Sequence, residues 1–284
     1  MGRFSGVLIA SDYDNTLVDT GGAYARGEKQ GYLTPASRRA IEEFMAQGGI
    51  FSIATGRSLP SFNTVRRSIP FNGPTILFNG AAIYDCPRET YLFQAFLNET
   101  AREHLAQVCR AFPRVACEIY HDDNAIHVLQ PNDFSAEHLH LTQSVAAEVT
   151  ELTAAAVPSP MSKALFEADH ATLEEVAAYI RCQGWGEAYE TVFSTPFLLE
   201  ITTRGATKGG MVERLRQMLH IDRAHLYCMG DQNNDIDMLT LAEIPFAPEN
   251  AVPEVKEIPG IHILPPCWEG TMEAVVEELF RLYP

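Results

Sequence analysis

The sequence predicts an α/β protein with a Rossmann-like parallel-sheet core and an inserted α+β cap domain. Three observations carry this expectation. Short apolar runs alternate with amphipathic helical stretches at both ends of the 284-residue chain, as strands and crossover helices of a parallel sheet do. The middle of the chain instead shows helices followed by pairs of strands around turn-rich tetrads, twice over. Polar and acidic residues follow the apolar runs of the two ends, where ligands bind in open α/β sheets. The expected division is residues 1–84 and 200–284 as core and 85–199 as cap.

Val7-Leu8-Ile9-Ala10 is a continuous β-rich run bounded by glycine and aspartate, the pattern of a strand buried on both faces. Thr34-Pro35 is an N-cap followed by proline at the first helical position, and the helix should stop at Gly48-Gly49. Ile50–Ala54 is a second strand, Ser58–Ile69 a helix and Thr75–Phe78 a third strand. In the insert, a strand is expected at Thr90–Ala95, a helix at Glu99–Phe112, two strands around His121-Asp122-Asp123-Asn124, and a helix over Ser135–Glu151. A strand at Ala164–Ala168, a helix at Thr172–Cys182 and two strands around Ser194-Thr195-Pro196 repeat that order. The core pattern then returns: a helix capped by Thr207, a strand at His225–Met229, a helix at Asp235–Leu241, strands at Pro245–Ala247 and Ile261–Leu264, and a last helix from about Gly270 to Leu282.

Apolar residues make up 46% of the chain, enough for a sizeable core, and the formal net charge is −16. That field repels a phosphate backbone, so no nucleic-acid partner is expected. It also repels small phosphate esters, so a phosphate site would need local positive charge from a lysine, a metal ion or helix N-termini. No apolar run approaches the ~20 residues that span a bilayer, and the first ten residues do not read as a signal peptide, so neither a membrane nor export is expected. The six cysteines show no C-x-x-C spacing and read as small buried hydrophobes, which suits a cytoplasmic compartment. His138 and His140 lie two apart, on different faces of a helix, a poor chelating pair. Oligomeric state is left open.

At the expected strand ends stand Asp12-Tyr13-Asp14-Asn15-Thr16, Thr55-Gly56-Arg57, Asn79-Gly80 and Gly230-Asp231-Gln232-Asn233-Asn234-Asp235, with Lys208 just inside a helix N-terminus. Each taken alone is a turn, a cap or a solvated lysine. Together, in order and on one sheet edge, they fit phosphoryl transfer. Of two carboxylates at one strand end, Asp12 and Asp14, one attacks phosphorus while the other acts as general acid and then base. Asp12 and Asp231 are hard oxygen ligands suited to Mg²⁺. Lys208 and the Thr55 hydroxyl are placed to hold the non-bridging oxygens.

The motifs D-Y-D-N-T-L (12–17), T-G-R (55–57), K-G (208–209) and G-D-Q-N-N-D (230–235), with N-G-A (79–81) and N-A-V-P-E-V-K (250–256), resemble those of the haloacid dehalogenase-like phosphatases. The likeness is greatest to the Cof-type branch, whose cap sits between the second and third motifs. It implies a Mg²⁺-dependent phosphatase acting on a small phosphorylated metabolite through an aspartyl phosphate. It further implies Asp12 as nucleophile and metal ligand, Asp14 as acid/base with its backbone carbonyl on the metal, and Asp231 as the other carboxylate ligand. Thr55, Gly56, Arg57, Lys208 and Asn234 would face the substrate, with Asp235 and Asn79 in support. Asn15 stands where the family usually has glycine, and asparagine tolerates the left-handed backbone next best. A phosphomutase shares most of these residues, and a catalytically silent phospholigand-binding protein is the rival from another class; the latter has no need of Asp14.

Overall fold

The computed structural model describes residues 2–284. Strand β1 (Leu8–Ser11) opens the core and leads through a loop to a short helix α1 (Thr20–Ala25). Helix α2 (Pro35–Ala46) begins at the Thr34 cap, whose side chain accepts from Ser37 N, and strand β2 (Ile50–Ile53) follows. Helix α3 (Leu59–Val65) is capped by Ser58 and tightens into a 3₁₀ turn. Strands β3 (Thr75–Leu77), β4 (Ala82–Asp85) and β5 (Thr90–Gln94) form an antiparallel sheet, bridged to the core where Ala54 meets Ile76.

The cap comprises α4 (Ala101–Ala111), β6 (Ala116–His121), β7 (Ile126–Leu129), α5 (Asp133–Leu141), β8 (Ala147–Val149), β9 (Met161–Glu167), α6 (His170–Cys182), β10 (Tyr189–Thr195) and β11 (Leu198–Thr203). Its six strands form one mixed sheet in the order β10-β11-β9-β6-β7-β8. The chain then returns to the core with α7 (Lys208–Met218), β12 (Leu226–Met229), α8 (Ile236–Leu241), β13 (Ile244–Pro248), α9 (Pro253–Lys256), β14 (His262–Leu264) and α10 (Met272–Leu282). The core sheet is parallel throughout, in the order β14-β13-β12-β1-β2.

Two apolar layers sandwich this sheet, and the alternation along β1 assigns its residues to them. Ile9 packs with Ile41 and Phe44 of α2 and Val275 and Leu279 of α10; Leu8 and Ala10 pack with Val212 and Leu215 of α7 and Met238 and Leu239 of α8. In the cap, one sheet face carries Cys117, Ile119, Phe166 and Ile201 against Leu105, Val108, Leu173 and Ile180 of α4 and α6. The opposite face holds Tyr120 and Leu165, which join the core layer beside Phe78 and Tyr84. Among the described residues no helix is long and apolar enough to cross a membrane.

Two features differ from the sequence reading. Residues 85–94 were expected in the cap, and a linker at Tyr84-Asp85, but β4 pairs with both β3 and β5, and Ala95 N still donates to Ala81 O at 2.7 Å. Leu97 N already donates to Met161 O of the cap sheet, and at the far side Arg204 N still donates to Ala188 O. We therefore place the cap at about residues 96–204. The helix expected over Ser135–Glu151 ends at Leu141: Thr142 Oγ1 turns back to His138 O at 2.8 Å, Gln143 takes a left-handed φ of 53°, and Ala147–Val149 pairs with β7 as an edge strand.

The N-G-A turn has a packing reason. Gly80 has φ 106°, and a Cβ there would sit 2.2 Å from Thr207 O, the carbonyl of the residue that caps α7. Gly80→Ala is therefore expected to destabilise the protein by about 3 kcal/mol, through left-handed strain and a backbone collision that no rotamer relieves. Chemical denaturation measures this. A loss below about 1 kcal/mol would mean that the contact relaxes freely.

Candidate active site

The carboxyl ends of β1, β2 and β12 and the N-terminus of α7 meet at one edge of the core sheet. Asp12 extends β1 by one residue, its N–H donating to Met229 O at 2.9 Å. The chain then turns at Asn15, with φ 57°, the left-handed conformation expected of this residue, and Asn15 Oδ1 accepts from Gly21 N at 2.8 Å. Asn250 Nδ2 donates to Asn15 O at 2.7 Å, while Val252 N donates to Asp231 O, so the late N-A-V-P motif ties the first loop to the fourth.

Lys208 lies at the centre. Its ammonium is 2.5 Å from Asp12 Oδ1 and 2.7 Å from Asp235 Oδ1, and all three side chains are buried. Thr207 sets the helix start by accepting from Gly210 N at 2.9 Å. Asp235 is fully used inside the protein: its Oδ2 accepts from the backbone N–H groups of Asp231 and Gln232 at 2.9 and 3.0 Å. Gly230 leaves room for this, since a Cβ there would lie 2.4 Å from that of Asp235. Asp231 Oδ1 accepts from Thr16 Oγ1 at 2.8 Å.

Asp12, Asp231 and Asp235 bring carboxylate oxygens within 4.8 Å of one another. With all three ionised, three carboxylates against one ammonium carry a net charge of −2. Burial first, then the neighbouring carboxylates, push Asp12 up to about 7 against the pull of Lys208, and push Asp231 well above the usual range. Lys208 resists the effect of burial and holds its proton more firmly than a free lysine, because Asp12 and Asp235 face it. A buried set of hard oxygens carrying this excess of negative charge fits a metal cation, with Asp12 and Asp231 as carboxylate ligands and Asp235 occupied in positioning.

Asp14 lives in different surroundings. Arg57 grips it with two hydrogen bonds, Nη2 to Oδ1 at 2.7 Å and Nε to Oδ2 at 2.9 Å, and Thr20 Oγ1 donates to Oδ1 at 2.7 Å. Burial favours the neutral acid, but Arg57 outweighs it and the Asp14 carboxyl is held below its ordinary value. Arg57 is itself fixed by Ser61 Oγ and by the Tyr13 ring beneath it.

A cavity of about 280 Å³ opens between this edge and the cap. Of the residues singled out in the sequence, Asp12, Asp14, Gly56, Arg57, Lys208, Asp231 and Asn234 line it. Thr55, Asn79 and Asp235 are buried behind the wall: Thr55 Oγ1 accepts from Arg57 N at 3.2 Å, and Asn79 Oδ1 accepts from Asn234 Nδ2 at 2.9 Å. Sequence reasoning missed the cap's contribution. Lys163, His138, Ser194 and Glu200 line the same cavity, and Lys163 Nζ donates to Glu200 Oε2 at 2.7 Å and across to Gly56 O at 3.1 Å. No motif marks these positions; only the alternation of β9, which puts Lys163 on the sheet face opposite Phe166, hints at it. Thr16 and Thr20 were also missed as partners of the two carboxyl groups.

Comparison with known proteins bears on the family and the fold. The family model described as haloacid dehalogenase-like hydrolase matches residues 9–263. The HMP-PP phosphatase of Yersinia enterocolitica is 27% identical over 274 residues, 92% of this chain and 91% of the relative, and that of Cronobacter sakazakii is 26% identical over 237 residues, 83% and 85%. Among solved structures, a haloalkanoate-superfamily phosphatase from Bacteroides thetaiotaomicron superposes with a TM-score of 0.80 at 15% identity, covering 98% of this chain and 96% of that one. A subclass IIB sugar phosphatase of the same superfamily gives 0.79 at 21% identity, covering 96% and 99%. The chain belongs to the haloacid dehalogenase-like hydrolases, as a phosphatase of the Cof-type branch with its cap between the second and third motifs.

Proposed function

We propose that the protein is a Mg²⁺-dependent phosphatase that hydrolyses a small phosphorylated metabolite, a sugar phosphate or similar monoester, by way of a phosphoryl group carried on Asp12. The observation that carries this reading is the unequal treatment of two carboxylates from one strand end: Asp12 is held by Lys208 in a metal-compatible cluster, and Asp14 is held apart by Arg57 and Thr20. In the first half-reaction an Asp12 oxygen bonds to phosphorus, the ester P–O bond breaks, and the leaving oxygen takes a proton from Asp14. In the second, Asp14 takes a proton from water, the water oxygen bonds to phosphorus, and the Asp12–phosphorus bond breaks to release phosphate. Asp12, Asp231 and the Asp14 carbonyl would hold Mg²⁺, which supplies the positive charge that lets an anionic nucleophile meet an anionic ester. Lys208 neutralises the non-bridging oxygens, and Asn234 stands at the cavity wall beside them.

The size of the cavity suits a metabolite rather than a macromolecule, and its cap wall of Lys163, Glu200 and Ser194 suits a polar, hydroxyl-bearing leaving group. A polar wall of this kind discriminates by hydrogen bonds, which reject a wrong partner more strongly than apolar fit does. The names of the relatives make sugar phosphates and HMP-PP the first compounds to assay.

Asp12→Asn is expected to lower kcat on p-nitrophenyl phosphate by more than about 10⁴ with a native melting curve, because an amide oxygen is too weak a nucleophile to take up the phosphoryl group. Acid quenching should trap phosphate on wild-type Asp12 and on no other residue. Retained turnover in the Asn variant, with reversion by deamidation excluded by mass spectrometry, would remove the covalent mechanism.

Turnover is expected to vanish in EDTA and return with Mg²⁺. Asp231→Ala should raise the Mg²⁺ concentration for half-maximal rate about tenfold or more. Equal rates in EDTA and Mg²⁺ would contradict the assignment.

Arg57→Gln is expected to move the pH–rate profile to higher pH. Arg57 stabilises the Asp14 carboxylate, so its removal raises the Asp14 pKa. The acid role needs the protonated form and is then kept to higher pH; the base role needs the ionised form and is then lost earlier as pH falls. Both limbs shift in the same direction, whichever half-reaction limits. Profiles of kcat and kcat/KM that change height without moving would show that Asp14 does not titrate in the rate-limiting step.

A further inference from the structure

The cap sheet presents a second buried group of metal-ligating side chains, on the face turned toward the core. Glu118 on β6 and Glu167 on β9 are diagonal neighbours there, since Glu118 lies opposite Leu165 and Ala116 opposite Glu167. Both are fully buried. Helix α5 lays His138 over them, with Nδ1 at 3.1 Å from Glu118 Oε2 and at 3.1 Å from Glu167 Oε1. The Nδ1 atom has one direction to give, and it serves Glu118. Glu118 Oε1 and both oxygens of Glu167 are buried without any hydrogen-bond partner.

Buried carboxylate oxygens without partners are costly, and two of them side by side more so. Lys163 lies on the same face, but its ammonium is committed to Glu200 and to Gly56 O. Three carboxylates and one ammonium leave this patch at −2 when the imidazole is neutral. We propose that Glu118, His138 and Glu167 form a second cation site, separate from the catalytic cluster, that takes a divalent transition ion of the Zn²⁺ class. All three ligand atoms lie within 4.8 Å of one another. The two spacings from His138 Nδ1, 3.1 Å each, are close to the edge of a tetrahedron with bonds of roughly 2.0 Å, the length of Zn–N and Zn–O bonds. One imidazole with two carboxylates suits Zn²⁺, Mn²⁺ or Fe²⁺ better than Mg²⁺, which prefers an all-oxygen octahedron. Tyr120 donates its hydroxyl to Glu118 Oε2 at 2.6 Å, the kind of outer contact that orients a ligating carboxylate.

The ion would also account for a weakly packed helix. Ser135 is the one fully buried residue of α5, so apolar burial holds it poorly. Yet the end of α5 forms part of the cavity wall through Leu141, and Leu141 O accepts from Tyr24 OH of the core at 2.8 Å. Coordination of His138 fixes that wall to the cap sheet.

This inference does not depend on the catalytic reading, and its test does not read activity. Full-length protein is stripped with chelator and titrated with Zn²⁺ by calorimetry, in wild type, Asp231→Ala, Glu167→Gln and His138→Gln. Asp231→Ala, which disables the catalytic cluster, is expected still to take up one tight equivalent of Zn²⁺, and Co²⁺ in its place should give visible d–d absorption. Glu167→Gln and His138→Gln should weaken that equivalent by at least about a hundredfold while keeping a cooperative melt. Absence of a tight equivalent in Asp231→Ala, which needs no change in the cap, would overturn the site. So would unchanged uptake in a folded Glu167→Gln variant; in either case the carboxylates are held by shared protons.

Discussion

The ammonium of Lys208 is the point on which the catalytic edge depends. It is buried between Asp12 and Asp235, and a charge in that position loses several kcal/mol of hydration unless its partners are close and well aligned. Each partner arrives from a different part of the chain: Asp12 from the end of β1, Asp235 from the turn before α8, Lys208 from the first turn of α7. Their meeting requires the parallel pairing of β1 with β12 and the seating of Thr207 against Gly80. Asp235 passes the constraint on, because the carboxylate that binds Lys208 also fixes the backbone of Asp231 and Gln232. The catalytic edge is thus one connected electrostatic object, and its excess of negative charge is what a divalent cation would relieve.

The same strand end carries a second carboxylate with opposite behaviour. Asp12 and Asp14 are separated by one residue, Tyr13, whose ring turns into the core under Arg57. Burial with other carboxylates raises Asp12, while Arg57 lowers Asp14. Two groups of the same chemistry thus differ in acidity because their surroundings differ, which suits them to the two separate roles proposed for them. A carboxyl held ionised by Arg57 is ready to take a proton from water. In the proposed mechanism it must first gain a proton against that grip to give one to a leaving group, so the Arg57 contact would set the balance between the two half-reactions.

The core was legible in the sequence because parallel strands buried on both faces read as plain apolar runs, and their polar ends follow directly. Asn15 was read, in place of the family's glycine, as a residue that tolerates the left-handed backbone, and it adopts that conformation. The cap was less legible, for physical reasons. Residues 90–94 look like any strand; only pairing with β4, a tertiary fact, places them with the core. Helix α5 was drawn too long because its polar tail has no periodicity to end and the Thr142 turn has no glycine or proline to mark it. His138 was weighed against His140, its neighbour on the helix, whereas its partners Glu118 and Glu167 lie 20 and 29 residues away on two strands. Periodicity reports which face a residue occupies, and convergence of faces from several elements is beyond it.

Cap and core are joined in a way that permits separation. Lys163 pairs with Glu200 within the cap, and Lys208 with Asp12 and Asp235 within the core, so among the described residues parting the two bodies breaks no ion pair. The hydrogen bonds that cross include those from Lys163 to Gly56 O, from Tyr24 to Leu141 O and from Tyr91 OH to Asn124 Oδ1; each is worth about 1 kcal/mol, and water replaces them readily. The apolar seam of Phe78 and Tyr84 against Tyr120 and Leu165 is the larger cost. The carbonyl of Gly56 that Lys163 reaches sits between Thr55 and the Arg57 that grips Asp14, so the cap contacts the same turn that holds one of the two strand-end carboxylates.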